Sequence, residues 1–478
     1  MKKSFRHTLV WLAVLIALVV WYQVYEKKIR PKNTEAEEKT KELISLAKDD
    51  ITLLEIERLK SPPADDAPAG SEPSSSEYTK VKLKLVGKDW QIVEPIQDLA
   101  DAGVITNLVS TVTTTKQERV IEETPKEISQ FGLKIPRIII KVGKSSGDPQ
   151  VIKIGANTPT GFSSYVQLGS RPTVYRATRS LRTTFDKDLK GLRNKSLMDW
   201  ARTDVGEVEV QNGKENFVLK KETPDKEEWQ LSREHIPADT TEWNKTLNAL
   251  LEVKASDFAS EDDKNLSLYG LQKPAARVTL TKAKTPEKVT LLVGKSKEKV
   301  YLKRGDRPVV YEVDQELLKK LEAPASSYRS TRLANFNRFD IKRIKLLRDG
   351  STLELLKNDS EWSFPTNLNA KVDTTKVDTL LTQLQDIRLS RYLAATAPGP
   401  KNPKLTIQLF EKRDKEEKEK LSLAFAAPEN KAVTSKRSGL DVAFQISEED
   451  FKKLNLHEKD FLKVEEKKED PKETQKKG

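Results

Sequence analysis

The chain has 478 residues and a formal net charge of +12, from 85 Lys+Arg against 73 Asp+Glu. It has no Cys and three scattered His (His7, His235, His457). That composition excludes disulfides, thiolate catalysis, thiolate metal sites and a lipidated cysteine, and it leaves no HExxH or His-x-His cluster, so no metal and no cofactor are expected.

The excess charge is local. Residues 1–32 hold seven bases and one acid, half of the net charge. The rest of the chain is only mildly basic, which argues against a nucleic-acid-binding surface. Between those bases lies Thr8–Tyr25, an uncharged run of 18 residues. As a helix it spans about 27 Å, enough for a bilayer core with some thinning. Trp11, Trp21, Tyr22 and Tyr25 stand near its ends, where interfacial aromatics sit. The run ends without the small-residue site of a cleaved signal peptide. Residues 1–30 therefore read as a single-pass transmembrane anchor, with a short cytoplasmic N-terminus and the bulk of the chain exported. Lys and Arg flank both ends, so the orientation rests on the shortness of the N-terminal flank.

Residues 31–49 are charged and helix-favouring and read as a stalk. Residues 61–78, SPPADDAPAGSEPSSSEY, are rich in Pro, Ser and acid, without periodicity, and read as a flexible insertion. The tail 464–478 has almost no apolar residue and reads as disordered.

Between these segments the sequence repeats. Asp50-Ile51-x-x-Leu54-x-Ile56 recurs as Asp204-Val205-x-x-Val208-x-Val210 and Asp340-Ile341-x-x-Ile344-x-Leu346. Each start is followed by a short strand pattern holding a Trp: Trp90, Trp229 and Trp362. The Asp-to-Trp separations are 40, 25 and 22 residues, and removing the 18-residue insertion brings the first to 22. About ten residues later an Asp opens a helical pattern: Asp101, Asp239 and Asp373. An Asp there accepts the unpaired N–H groups of a first turn. The apolar positions that follow share one helical face: Val104, Ile105, Leu108, Val109 and Val112, then Trp243, Leu247, Leu250 and Leu251, then Val377, Leu380, Leu381, Leu384 and Ile387. Phe131-Gly132-Leu133-x-x-Pro136 matches Tyr269-Gly270-Leu271-x-x-Pro274, and the third copy keeps Gly399 and Pro403 at the same separation. Gly permits a left-handed turn, and Pro extends the residue before it, so the motif ends a turn and launches a strand. Strand patterns follow, and each copy closes on a strand and a helix, the first helix covering Leu181–Leu192.

The expected fold is α+β: after the transmembrane helix, three tandem related units with antiparallel sheets, at 50–200, 204–336 and a divergent 340–463. Each unit reads roughly β-β-β-α-β-β-β-α, with helices on one face.

The anchor, the Asp-Ile-x-x-Leu-x-Ile start, the Trp90 strand, the Phe131–Pro136 turn and Ile154-Gly155-x-x-Thr158-Pro159 together resemble the bacterial domain of unknown function 4340 family. The resemblance is strongest over 50–200 and weakens over 340–463. It implies a membrane-anchored envelope protein of the bacterial inner membrane, mostly periplasmic, with a protein partner such as an ABC-type permease complex of the gliding-motility type. It implies no chemistry, because the family has no established catalytic residues.

Other candidate sites read as structure. Gly155 and Gly161 could form an anion-cradling loop, but the Gly-Lys-Ser/Thr ending is absent; Gly294-Lys-Ser296 lacks the earlier Gly of a P-loop. These glycines read as β-turn positions, and His235 as a loop residue. The repeated Trp read as core anchors and the repeated Asp as caps rather than catalytic carboxylates. Three functions stay open. The first is a non-enzymatic scaffold or interaction protein, the second an envelope module binding glycan or peptide, and the third a carboxylate-only hydrolase.

Overall fold

The fold is that of a computed structural model, which describes residues 14–15, 17–23 and 41–463, except 234, 349, 395, 414 and 415. The described chain divides into two compact bodies, one ending at Lys195 and one beginning at Ser196.

The first body is built on one antiparallel sheet. Its strands are β1 (Leu53–Leu59), β2 (Tyr78–Val86), β3 (Asp89–Glu94), β4 (Asp98–Leu99), β5 (Gln117–Glu122), β6 (Ile138–Gly143), β7 (Gln150–Asn157), β8 (Ser163–Leu168) and β9 (Val174–Thr178). Their order across the sheet is β4-β3-β2-β1-β6-β7-β8-β9-β5. Two meanders thus meet at the central β1–β6 pair. Helix α1 (Ala102–Thr114) carries the chain from one edge strand, β4, to the other, β5. Two short helices, α2 (Arg179–Phe185) and α3 (Leu189–Leu192), close the body. They break the single helix expected over Leu181–Leu192; Asp188 ends the interruption by accepting the Gly191 N–H at 2.8 Å.

The second body holds two more sheets. One comprises β10 (Val205–Asn212), β11 (Glu215–Lys221), β12 (Trp229–Leu231), β13 (Ile236–Pro237), β14 (Asp257–Ser260), β15 (Ala276–Lys282), β16 (Lys288–Ser296), β17 (Lys299–Arg304) and β18 (Val310–Val313), with helices α4 (Thr240–Leu251) and α5 (Gln315–Leu321). The other comprises β19 (Ile341–Arg348), β20 (Ser351–Asn358), β21 (Glu361–Phe364), β22 (Asn367–Lys371), β23 (Arg391–Tyr392), β24 (Leu405–Arg413), β25 (Glu416–Phe425), β26 (Ala432–Arg437) and β27 (Phe444–Ser447), with α6 (Thr374–Asp386) and α7 (Glu448–Leu454). Both repeat the strand order of the first sheet, position for position.

The register makes the repeat physical. Leu54 lies opposite Leu83 and Val142, Val208 opposite Leu219 and Leu280, and Ile344 opposite Leu355 and Leu409. All nine are fully buried. Alternate residues face the other way and are charged. On β1 the carboxylate of Glu55 meets Lys141 at 2.7 Å and Lys80 at 3.4 Å; on β19, Arg343 bridges Glu354 and Glu417. One face of each sheet is therefore an ion-pair ladder and the other is core, the usual division in antiparallel sheets. The long helix lies on the apolar face. It buries Ile105, Leu108, Val109 and Val112 in α1, Trp243, Thr246, Leu247 and Leu250 in α4, and Val377, Leu380, Leu381 and Leu384 in α6. The helix that closes each copy packs beside it.

Each copy therefore has nine strands where six were expected. The additional ones are the short edge strands β4, β13 and β22 before the long helix, the edge strands β5, β14 and β23 after it, and one hairpin strand per copy. The second and third sheets also share one continuous core. Residues 41–49, read as stalk, join the first body: Glu42 bridges to Lys116, and Leu43 and Ile44 are buried in its core. Half of the apolar run 8–25 lies outside the described residues, including Trp11 and Tyr25, as do residues 31–40 and the tail 464–478. The described part of that run, 14–15 and 17–23, is helical, with Trp21 and Tyr22 exposed. Among the described residues, no helix is long and apolar enough to cross a membrane.

Candidate functional site

The residues repeated from copy to copy are spent on folding. Asp101 precedes α1 and accepts the Val104 N–H at 2.9 Å. Asp239 precedes α4 and accepts from Thr241 and Glu242 at 2.9 and 3.1 Å. Asp373 precedes α6 and accepts from Thr375 at 3.0 Å. Each carboxylate satisfies amides that a helix start leaves unpaired, and the three stand on three different sheets. Trp229 and Trp362 are buried in the second body's core, whereas Trp90 is half-buried against the first. Trp229 stands edge-on to Trp243 at 5.4 Å, and Trp243 in turn edge-on to Tyr328 at 5.6 Å.

Gly132 and Gly270 end single 3-10 turns in the left-handed region, at φ +64° and +68°. The turn crosses over a strand of its own sheet. A Cβ on Gly132 would lie 2.8 Å from Ala156 N, and one on Gly294 would lie 2.5 Å from Tyr269 O. A Cβ on Gly155 would overlap Phe131 O. Gly155 and Gly294 thus belong to strands β7 and β16, not to the β-turns expected for them; they are glycines because two backbones touch there. Gly161 does occupy an open turn, at φ +74°. Pro136, Pro274 and Pro403 each stand two residues before the next strand begins. Gly399 is outside the left-handed region and faces Lys436. In the third copy Ala426 follows Phe425, as Gly155 follows Ile154, so one glycine of the pair is an alanine there, and the remaining Gly399 meets the Lys436 side chain rather than a strand backbone.

A polar concavity in the second body brings together residues far apart in sequence. A cleft of about 420 Å³ opens in the second body where the second and third copies meet. One wall is built on β12 and the start of α4: Glu222 N donates to Glu228 O at 3.0 Å and Ala238 N to Trp229 O at 2.7 Å. The connection 330–335 forms the floor, fastened by Ser330 N to Pro237 O at 2.8 Å. The other wall comes from β25 and β26, through Lys420, Leu421, Arg437 and Ser438. Three carboxylates (Glu222, Glu228, Asp239) face three bases (Arg332, Lys420, Arg437) around this space. Burial pushes the Arg437 guanidinium below its ordinary value, while its Nη1 donates to Leu333 O at 3.1 Å. His235, on a turn as expected, places Nδ1 at 2.7 Å from Asp441 Oδ2 and links the two copies.

This arrangement offers donors and acceptors of both signs, suited to holding a polar chain or ligand by hydrogen bonds. Asp239 is committed to its helix. Among the described residues, no three His, Asp or Glu come together as a metal-ligand set. Arg332, Lys420 and Arg437 had no signal in the sequence, because no motif joins residues 93 to 215 positions from Glu222 and Asp239.

The family model described as Domain of unknown function (DUF4340) matches residues 90–263 and, again, 229–406. Both matches open on a repeated Trp, in β3 and in β12, and both run past the end of one copy into the next. They agree with the resemblance read from Trp90, Gly132 and Gly155. No curated protein and no solved structure matches the chain.

Proposed function

The chain belongs to the domain of unknown function 4340 family, and from that premise we propose that it is a non-enzymatic scaffold or interaction protein, held at a bacterial inner membrane by residues 8–25. Its sheet bodies project into the periplasm and engage a protein complex of the ABC-type permease class. The observation that carries this reading is the use made of the repeated residues. The Asp caps, the Trp229 and Trp362 anchors and the Gly–Pro turns are all consumed in building the same sheet again. A chain that multiplies a fold while repeating no reactive constellation multiplies surface. On the first sheet the edge strand β5, where Val120 and Ile121 are exposed, offers a strand edge to a partner.

Crosslinking in native membranes followed by mass spectrometry tests it, and the expected product joins this chain to a membrane complex. A reporter fused to the C-terminus should be active outside the cytoplasm; cytoplasmic activity would reverse the assigned orientation. A second reading, an envelope module for glycan or peptide, has one observation in its favour, the polar cleft of the second body. Co-purification of glycan, with no crosslinked complex, would establish it in place of the first.

A further inference from the structure

The first copy differs from the other two at one corner, and the differences belong together. Counting from the residue that precedes the closing helix (Thr178, Asp314, Ser447), the fourth position is Arg182 in α2, Leu318 in α5 and Phe451 in α7. The first position is Arg179, Gln315 and Glu448. The residue after the repeated Pro is Arg137, Ala275 and Lys404. Only the first copy carries the insertion 61–78. Leu318 and Phe451 are buried apolar side chains, so the fold does not ask for an arginine at this place. Arg182 is nevertheless only 2% exposed.

A buried guanidinium requires an anion. The insertion supplies it. Asp65 receives Arg182 bidentately, at 2.8 and 2.7 Å, and Arg179 at 2.9 Å, and it pairs with Arg137 at 3.0 Å. Arg137 also donates to Pro63 O at 2.7 Å, and Asn157 donates to Asp65 O at 3.2 Å. Hydrogen bonding to Arg182 holds the Asp65 carboxyl at about 2.

The charges do not close. Three guanidinium groups meet one carboxylate. The other acid that acts on this group, Asp186, is held by Arg58 at 2.5 Å. Burial, followed by the charge of Arg182, lowers Arg137. The Nε–H groups of Arg137, Arg179 and Arg182 are all buried and meet no acceptor among the described residues. The corner therefore holds more positive charge and more donors than Asp65 uses.

The insertion is also weakly built into the body. None of residues 61–77 is buried, and none enters a core cluster. Beneath it is a cavity of about 30 Å³, lined in part by Asp65, Arg137, Gly155 and Asn157, with room for water but not for a polyatomic anion. A larger anion reaches the arginines only if the loop moves.

We propose that Arg137, Arg179 and Arg182 form a binding site for a phosphate- or carboxylate-bearing ligand, kept closed by the insertion with Asp65 as its tethered occupant. An incoming dianion takes the place of the Asp65 carboxylate and fills the spare donors, and the loop lifts from the body.

The test uses the full chain with residues 64–76 excised, a connection the other two copies make without such a loop. Calorimetry with inorganic phosphate and, separately, with glutarate is run at constant ionic strength set by chloride. The excised chain should bind one probe at least tenfold more tightly than the intact chain, because a tethered competitor acts at an effective concentration in the millimolar range. R182L in the excised chain, which installs the side chain that the second copy carries as Leu318, should abolish that binding. Preference for phosphate identifies a phosphoryl ligand, and preference for glutarate an acidic peptide or small acid. Binding of neither probe beyond chloride, or binding indifferent to R182L, overturns the proposal. Should the excised chain not fold, hydrogen exchange of residues 61–77 in the intact chain decides. Faster exchange with either probe supports displacement, and exchange unmoved by both refutes it.

Discussion

The glycine crossing gives the sharpest test of the repeat. In Gly294→Ala the new methyl would lie 2.5 Å from Tyr269 O and 2.7 Å from Gly270 C, both backbone atoms that no rotamer change can remove. The 3-10 turn at Leu266–Tyr269 and strand β16 must then separate by several tenths of an ångström. Overpacking of this kind costs about 1–3 kcal/mol, and the upper end applies because both contacts are backbone. A loss of about 3 kcal/mol lowers the melting midpoint of a large body by about 6–12 °C. The control is Ala426→Gly, at the matching place in the third copy, where an alanine already stands. It should cost no more than the backbone entropy of a glycine, about 0.5–1 kcal/mol. Urea melts followed by tryptophan fluorescence suit the assay, since Trp229, Trp243 and Trp362 all lie in the second body's core. Equal effects of the two substitutions, or a Gly294→Ala midpoint within about a degree of the native one in thermal melts, would refute the crossing as the reason for the glycine.

Three further outcomes follow from the same geometry. Asp239→Ala removes an acceptor of two amides at the start of α4 and should destabilise the second body by about 1–2 kcal/mol in the same urea melts, with Asp239→Ser recovering most of it. Trp243→Ala empties a fully buried position between Trp229 and Tyr328 and should cost about 3–5 kcal/mol, whereas Trp243→Phe should cost less. Hydrogen bonding to Arg182 depresses the Asp65 carboxyl from an ordinary 3.8 to about 2, so its stabilising contribution is complete above about pH 4 and is lost as pH falls through 2. Protection of residues 61–77 against hydrogen exchange should therefore hold from neutrality to about pH 4 and decline below it. An Asp65 titration midpoint near an unperturbed value of about 4 by NMR would contradict the arginine cluster.

The helices and their caps were legible because a single helix states its own period. Asp101, Asp239 and Asp373 each precede apolar positions at helical spacing, and those positions can be checked without knowing the sheet. The edge strands were not legible. Asp98–Leu99, Ile236–Pro237 and Arg391–Tyr392 are two residues each, too short to show any alternation, and they exist only because a neighbouring strand offers a free ladder. The break between α2 and α3 did leave a signal in Asp188-x-x-Gly191, which the flanking apolar residues of a continuous helical pattern obscured. The shared core of the second and third copies, and the cleft beside it, depend on contacts between residues far apart along the chain. Arg182 was hidden for a different reason: between Leu181 and Phe185 it reads as a solvated helical position, and only the fold shows an aspartate brought over it.

The three copies also separate what the fold requires from what it merely admits. In each copy a side chain near the end of the first strand is tied to the end of the closing helix. Each copy does this with different chemistry near the end of that strand. Arg58 binds Asp186, just past α2, at 2.5 Å; Asn212 donates to Leu321 O at 2.9 Å and Ala323 O at 3.3 Å; Arg348 donates to Asn455 at 3.0 Å and to Leu456 O. The contact therefore persists through substitution, because each copy supplies a donor of its own. The fourth position of the closing helix behaves in the opposite way. Two copies fill it with Leu318 and Phe451, at no electrostatic cost, while the first places a charge there and adds a loop to neutralise it. Nothing in the repeat demands that expense, so its explanation belongs to something that the first copy does and the other two do not.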